Sequence, residues 1–314
     1  MRPMLASDAV EDKIVFPCIA QPKIDGVRGM NMLGPLTGRS LKSFANIHAT
    51  NFFSMGAFKG FDGEFAAEHE CHPDLCRLTT SALNSIQGEP WLLWHVFDYI
   101  TEDTFDDTYS VRYEKLKKRV DDLWKTVDSR IVKHLKVVPS RICLGMKDLL
   151  AHDDAWLDMG HEGTIVRSPV GMHKQGRSTV REGGLLRIKR FIDFEFEITE
   201  LIEGEANGNE AQTNELGLQF RSTHQENMVP NGMVGAMMGR ILKDVTDAKG
   251  VVLFPKDTVV KVGAGSMPHA DREMYFKNPH LLLKQIGKAK TFPKGVKDKP
   301  RFPTFQSLRS MTDM

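Results

Sequence analysis

Lys23, Asp25, Gly26 and Arg28 fall within one hexapeptide, KIDGVR, and a lysine placed this way could act as a nucleophile. A lysine amine attacks an electrophile only where burial or neighbouring cations lower its pKa, so the flanking sequence has to supply that setting. Residues 14–20 (IVFPCIA) read as an apolar strand leading in, and the Gly-interrupted stretch 26–33 reads as a strand leading out. Lys23 then belongs to the turn between them, at the mouth of a cleft. Taken alone, the hexapeptide also fits an ordinary polar hairpin turn, because Asp-Gly is a common hairpin connection.

The elements that would hold such a cleft can be read from periodicity. Tyr113, Leu116, Val120, Leu123, Trp124 and Val127 recur at helical spacing behind a candidate N-cap, Ser110, and predict an amphipathic helix on the outside of a sheet. A second helix is expected over Met146–Met159, stopped by Gly160, and it delivers the chain to Glu162. Residues 91–100, 164–167 and 185–188 read as strands. After Arg190 the pattern changes to short strands broken by Gly, Pro and Asn (FEFEITELI, MVGAMMGRILKDV, VVLFPKDTVVKVGAG, LLLKQIGKAKTF), which suggests a small barrel. The expected domains are therefore residues 1–190 and 191–314.

KIDGVR resembles motif I (KxDGxR) of the covalent nucleotidyltransferases, the superfamily of ATP-dependent DNA ligases, RNA ligases and mRNA capping enzymes. Four further segments resemble its later motifs in the family's order: residues 61–65 (FDGEF), 96–99 (VFDY), 162–167 (EGTIVR) and 186–189 (LRIK). The resemblance implies an α+β chain: an ATP-grasp-like adenylation (nucleotidyltransferase) domain of antiparallel sheets with flanking helices, then an OB-fold β-barrel. GAMMGRI, VGAG and PRFPTF match the usual landmarks of that barrel.

It also implies roles. Lys23 would form a phosphoamide with AMP. Arg28 and Arg39 (in TGRS) would handle ribose and phosphates, where a planar guanidinium makes paired contacts. Asp62 would orient Arg28, Glu64 would hold the ribose or assist the metal, and Glu162 would bind Mg²⁺ through carboxylate oxygen. Arg187 and Lys189 would contact the triphosphate. Phe97 would stack on adenine, and Gln21 lies where the family reads the exocyclic amine. Without the ordered set, Phe97 reads as core, Glu64 and Glu162 as solvated acids, and Arg187 and Lys189 as a basic strand end.

Two positions depart from the family pattern while keeping the cation: Arg187 stands where motif V usually begins with lysine, and motif IV ends in Arg167 where lysine is also common. The terminal Arg-x-Asp-Lys motif is echoed only loosely by residues 309–313 (RSMTD), which leaves the role of Arg309 open. His69, Cys71, His72 and Cys76 lie close together, but their spacing fits no common zinc template. Cys18 and Cys143 read as buried apolar residues.

At 314 residues the chain can hold two cores. Four cysteines, no N-terminal apolar signal and no apolar run near membrane-spanning length point to a soluble, cytoplasmic protein with no membrane partner. The net charge of +1 hides a polarity: residues 191–239 hold one arginine against nine acids, whereas residues 240–314 hold 15 Lys/Arg against seven Asp/Glu. The basic run 284–301 is either a phosphate-facing surface or a solvated loop. Only 22 residues precede Lys23, so nicked double-stranded DNA is expected to be gripped by the two domains of a single chain, closing about a hinge near Arg190.

The expected activity is that of an ATP-dependent DNA ligase using ATP and Mg²⁺. An RNA ligase, a capping guanylyltransferase and a catalytically inactive module that binds nucleic-acid ends are the alternatives.

Overall fold

The structure is a computed structural model that describes residues 1–247, 250–296 and 299–309, side chains at 294–296 apart. It divides into two compact units, Met1–Lys189 and Arg190–Met314. The architecture is α+β.

The first unit carries two five-stranded sheets. One runs in the order Ser7–Asp8, Leu185–Lys189, Gly163–Arg167, Cys18–Lys23, Arg141–Cys143. The other runs Thr37–Gly38, Val27–Met30, Phe61–Ala66, Leu93–Tyr99, Leu135–Val137. Each is antiparallel except for one parallel pair at an edge. Residues 24–26 carry the chain from one sheet to the other, so Lys23 is the last residue of a strand rather than part of a hairpin turn. The strand begins only after Pro17, which has no N–H to give to a ladder.

Alternation along Cys18–Lys23 sends Cys18, Ala20 and their neighbours Cys143, Val166, Leu186 and Ile188 into a core with Leu149 and Trp156 of helix Met146–Met159. That helix ends at Gly160 in the left-handed conformation (φ 98°), as its glycine predicts. The second sheet buries Phe61, Phe65, Trp94 and Val96 against Tyr109, Tyr113, Leu116, Val120 and Leu123 of helix Tyr109–Thr126. Two details of that helix differ from expectation. Its N-cap is Thr108, because the Ser110 hydroxyl instead donates to the Pro169 carbonyl (2.9 Å), and Trp124 is half-exposed, at the margin of the apolar stripe.

In the second unit, five strands close into a barrel in the order Ile192–Asn207, Met228–Ile241, Val259–Gly263, Lys299–Leu308, Ile286–Val296. Phe194, Phe196, Ile198, Val234, Met237, Val260, Val262 and Phe305 fill it. Gly239 is needed for closure, since a Cβ there would stand 2.4 Å from both the Phe196 ring and the Glu197 carbonyl. The apolar run at 281–283 is not a strand: it follows helix His269–Lys277, which periodicity did not reveal, in a short 3₁₀ turn. Among the described residues, most of the basic run lies in the paired barrel strands Ile286–Val296 and Lys299–Leu308, and there Lys288 pairs with Asp193 (2.6 Å).

No helix among the described residues is long and apolar enough to cross a membrane.

Candidate active site

Three adjacent strands of the first sheet build one wall of a cavity of about 730 Å³. In register across them stand Lys23, Gly163 and Lys189; then Gln21, Ile165 and Arg187; then Ile19, Arg167 and Leu185. Side chains at every second position share a face, so these rows present their polar groups together. Gly163 carries nothing between the two lysines, and a Cβ there would lie 2.3 Å from the Ile188 carbonyl.

Glu162 uses that gap. Its carboxylate accepts from the amines of both Lys23 and Lys189, and its backbone N–H donates to the Lys23 carbonyl (3.0 Å). Burial alone would raise the Glu162 pKa, but the two amines hold it down to about 2. Lys189 pairs with Glu162 and is not among the residues that line the cavity. Arg187 does line the cavity, with Asp8 as its partner.

The second sheet supplies the opposite residues. Arg28 makes a paired bond to Asp62 (2.8 and 2.6 Å) and donates to the Met4 carbonyl (2.9 Å). Burial works against the charge on Arg28, but Asp62 and Glu64 raise its pKa above the ordinary arginine value, so it stays charged. Glu64 stands in register with Arg28 and lines the cavity, and its carboxylate makes no hydrogen bond or salt bridge among the described residues. Burial pushes its pKa up to about 7, against the pull of Lys23 and Arg28. Arg39 lies exposed on the rim. Phe97 lines the cavity with the Arg28 and Arg167 guanidiniums 5.3 and 5.1 Å from its ring centre.

Gly26 joins the two walls. A Cβ at this position would sit 2.0 Å from the Phe65 carbonyl oxygen, so only glycine lets the link pass strand Phe61–Ala66.

Sequence reasoning gave no role in the site to two contributors. Arg167 is buried (3%) among Asp98, Gln21, Phe97 and Tyr109. The N-terminal segment forms a lip in which Leu5 and Ala6 line the cavity, and the Ala6 carbonyl accepts from Arg177. Backbone carbonyls leave no mark in side-chain pattern. Alternation on strand Gly163–Arg167 could have pointed to Arg167, since it shares a face with Ile165.

Other expected residues lie elsewhere. Arg309 pairs with Glu195 (2.6 Å) in the second unit, and the rest of the terminal motif, 310–313, falls outside the described residues. The Cys71 sulfur meets His161 Nε2 at 3.6 Å, and among the described residues no group of three His, Cys, Asp or Glu side chains could hold a metal. Cys18 and Cys143 are buried opposite one another on paired strands, and burial pushes the Cys18 thiol up to about 12.

The fold is similar to that of known enzymes. The chain superposes on the Chlorella virus DNA ligase-adenylate with a TM-score of 0.52 at 25% identity, covering 98% of this chain and 99% of that one. It matches a Lig E DNA ligase with a TM-score of 0.66 at 17% identity, covering 98% and 100%. It matches the ATP-dependent DNA ligase of bacteriophage T7, solved in complex with ATP, with a TM-score of 0.50 at 15% identity, covering 98% of each chain. No protein-family model and no curated protein sequence matches the chain. Over nearly its full length, then, the chain resembles ATP-dependent DNA ligases of the compact viral, phage and Lig E kind.

Proposed function

We propose that the protein is an ATP-dependent DNA ligase that seals nicks in duplex DNA, with residues 1–190 as the adenylation domain and 191–314 as an OB-fold domain. The observation that carries this reading is the convergence of Gln21, Lys23, Arg28, Glu64, Phe97 and Arg187, from sequence segments far apart, on one cavity. Its volume lies within the roughly 300–1,000 Å³ typical of small-ligand sites. The cradle suits a nucleotide: an apolar ring for the base, a glycine that lets the backbone approach, and arginines for phosphate.

In this reading the Lys23 amine attacks the α-phosphorus of ATP, the bond to pyrophosphate breaks, and AMP stays on the lysine. The 5′-phosphate at the nick then takes the AMP, and the 3′-hydroxyl attacks to release it. The barrier lies mainly in alignment and in neutralising phosphate charge, which Arg28, Arg39 and Arg187 supply. Lys23 has to leave Glu162 before it can attack, so Glu162, itself paired with Lys189, holds the amine in place until substrate enters.

Mg²⁺ is bound through one or two carboxylates together with substrate phosphates. Glu64 fits that part, because it is unpartnered and lines the cavity. Glu162, the other expected ligand, is paired with the Lys23 and Lys189 amines in this structure. Magnesium would supply neutralisation of the triphosphate.

The test is incubation with α-labelled ATP or GTP and Mg²⁺. Acid-labile label from ATP, absent in Lys23→Ala, supports the reading; label from GTP alone indicates a capping enzyme, and none from either indicates an inactive end-binding module. Sealing of a nicked DNA duplex but not of an RNA nick separates the two ligase types.

A further inference from the structure

Three of the five arginines that line the cavity take an acceptor from one short stretch of chain, and those acceptors fall at alternate residues. The Met4 carbonyl accepts from Arg28 (2.9 Å), the Ala6 carbonyl from Arg177, and the Asp8 carboxylate from Arg187 (2.5 Å). The stretch is itself fixed. Met4–Leu5 pairs in parallel with Gly176–Arg177, and Ser7–Asp8 pairs in parallel with strand Leu185–Lys189. The Met4 side chain is buried, with its Cε where a Cβ on Gly184 would stand 2.9 Å away. The Leu5 carbonyl accepts from the Ser178 N–H (2.8 Å), and the Ala9 N–H donates to the Arg187 carbonyl (2.9 Å).

Of the three acceptors Asp8 alone is a side chain, so there the residue type decides the contact. Asp8 stands in register with Arg187 on the neighbouring strand and takes its Nε. Arg187 Nη1 and Nη2 make no hydrogen bond or ion pair among the described residues. Two terminal guanidinium nitrogens form a fork that matches two oxygens of a phosphate, and a bond at Nε leaves that fork whole. Arg187 lines the cavity and Asp8 does not, so the carboxylate supports the guanidinium from outside the lining. The bond from Arg187, and then the charges of Arg187, Lys189 and Arg177, hold the Asp8 carboxyl below the usual aspartate range, so it is charged at neutral pH. Its side chain is 69% exposed, and an ion pair this open adds little to stability. What it adds is order in a long side chain.

We infer that Asp8 is a positioning residue for phosphate: by taking Arg187 Nε it steadies the guanidinium and keeps both Nη groups for the triphosphate of the bound nucleotide. The inference rests on the adenylation reading above and names a support that acts through Arg187.

The experiment is covalent labelling of the full chain from α-labelled ATP with Mg²⁺, resolved into KM and kcat, with the melting temperature measured alongside. Asp8→Ala should raise KM by about three- to tenfold, the cost of ordering one long side chain on binding, with kcat and the melting temperature unchanged. Asp8→Asn keeps an oxygen that accepts from Nε and sheds a negative charge, so its KM should be no higher than native. In an Arg187→Met background, Asp8→Ala should change KM no further, because the group it acts through is gone.

A KM for Asp8→Ala at or below native overturns the inference, as does a rise in KM that Asp8→Asn shares or that persists in the Arg187→Met background. A fall in melting temperature together with kcat would mark Asp8 as a support of the fold alone and overturns it too. Should Arg187→Met label too weakly to measure, the alanine and asparagine variants decide. Absence of label in the native protein overturns the adenylation reading itself, and this inference with it.

Discussion

Replacing Gly26 by alanine tests whether the link between the two sheets sets the position of Lys23. The added Cβ would stand 2.0 Å from the Phe65 carbonyl oxygen, whereas ordinary contact begins at 3.4 Å, so something must move by about 1.4 Å. The obstacle is backbone in the middle of strand Phe61–Ala66, which pairs with strands on both sides and cannot yield as a side-chain tip would. The displacement therefore falls on residues 24–26, and Lys23 is their immediate neighbour. A misplacement of about 1 Å at a reacting group costs on the order of 100-fold in rate. Gly26→Ala should thus lower the rate of lysine labelling from α-labelled ATP by about 100-fold or more, while binding of ATP weakens less. Gly56→Ala, where nothing lies within 4 Å of the new Cβ, should label like the native protein and serves as the control. Labelling by Gly26→Ala within about threefold of native, with the melting temperature unchanged, would refute the claim that this link positions the nucleophile.

Three further outcomes follow from the same geometry. Asp98→Asn leaves the buried Arg112 and Arg167 without their carboxylate and should cost about 3–5 kcal/mol in urea denaturation; a loss below about 1 kcal/mol would mean that the network adds little. Glu64 has a pKa raised from 4.5 to about 7, so the native state holds its proton more tightly than the unfolded chain does; stability should fall as pH rises from about 4.5 to about 7 and stay low above that range. Glu64→Gln should remove the fall and come out more stable than native at pH near 8, by at most roughly 3 kcal/mol, and equal stability of the two proteins across that range in denaturation curves would contradict it. If phosphate contacts provide most of the grip on DNA, sealing at sub-saturating DNA should drop by about tenfold or more between roughly 50 and 200 mM salt, and a flat response would count against the proposal.

How much of this was legible in the sequence depends on whether side-chain pattern or backbone does the work. Strand alternation is a period-2 signal, so the shared face of Gln21 and Lys23, and that of Arg187 and Lys189, follow once the strands are placed. The apolar stripe from Tyr113 to Leu123 specified its helix for the same reason, and Trp124 was misjudged because a residue at the edge of a stripe can turn either way. The helix His269–Lys277 escaped because it buries no residue fully and so carries no apolar period.

Within the site, what sequence could not give was which charges answer one another. Lys189 reads as a phosphate ligand until its register beside Gly163 is known; that register sets it and Lys23 on either side of a residue with no side chain, where Glu162 can reach both. The same logic applies to Arg28 and Arg177, whose partners Met4 and Ala6 offer only carbonyl oxygens. Each arginine takes one bond from a segment whose side chains contribute nothing to that contact, Arg28 in addition to its pair with Asp62. Substitutions at Met4 or Ala6 that leave the backbone path intact should therefore spare the cavity, whereas loss of the pairing between Met4–Leu5 and Gly176–Arg177 would take one bond from Arg28, which Asp62 still holds, and the Ala6 bond from Arg177.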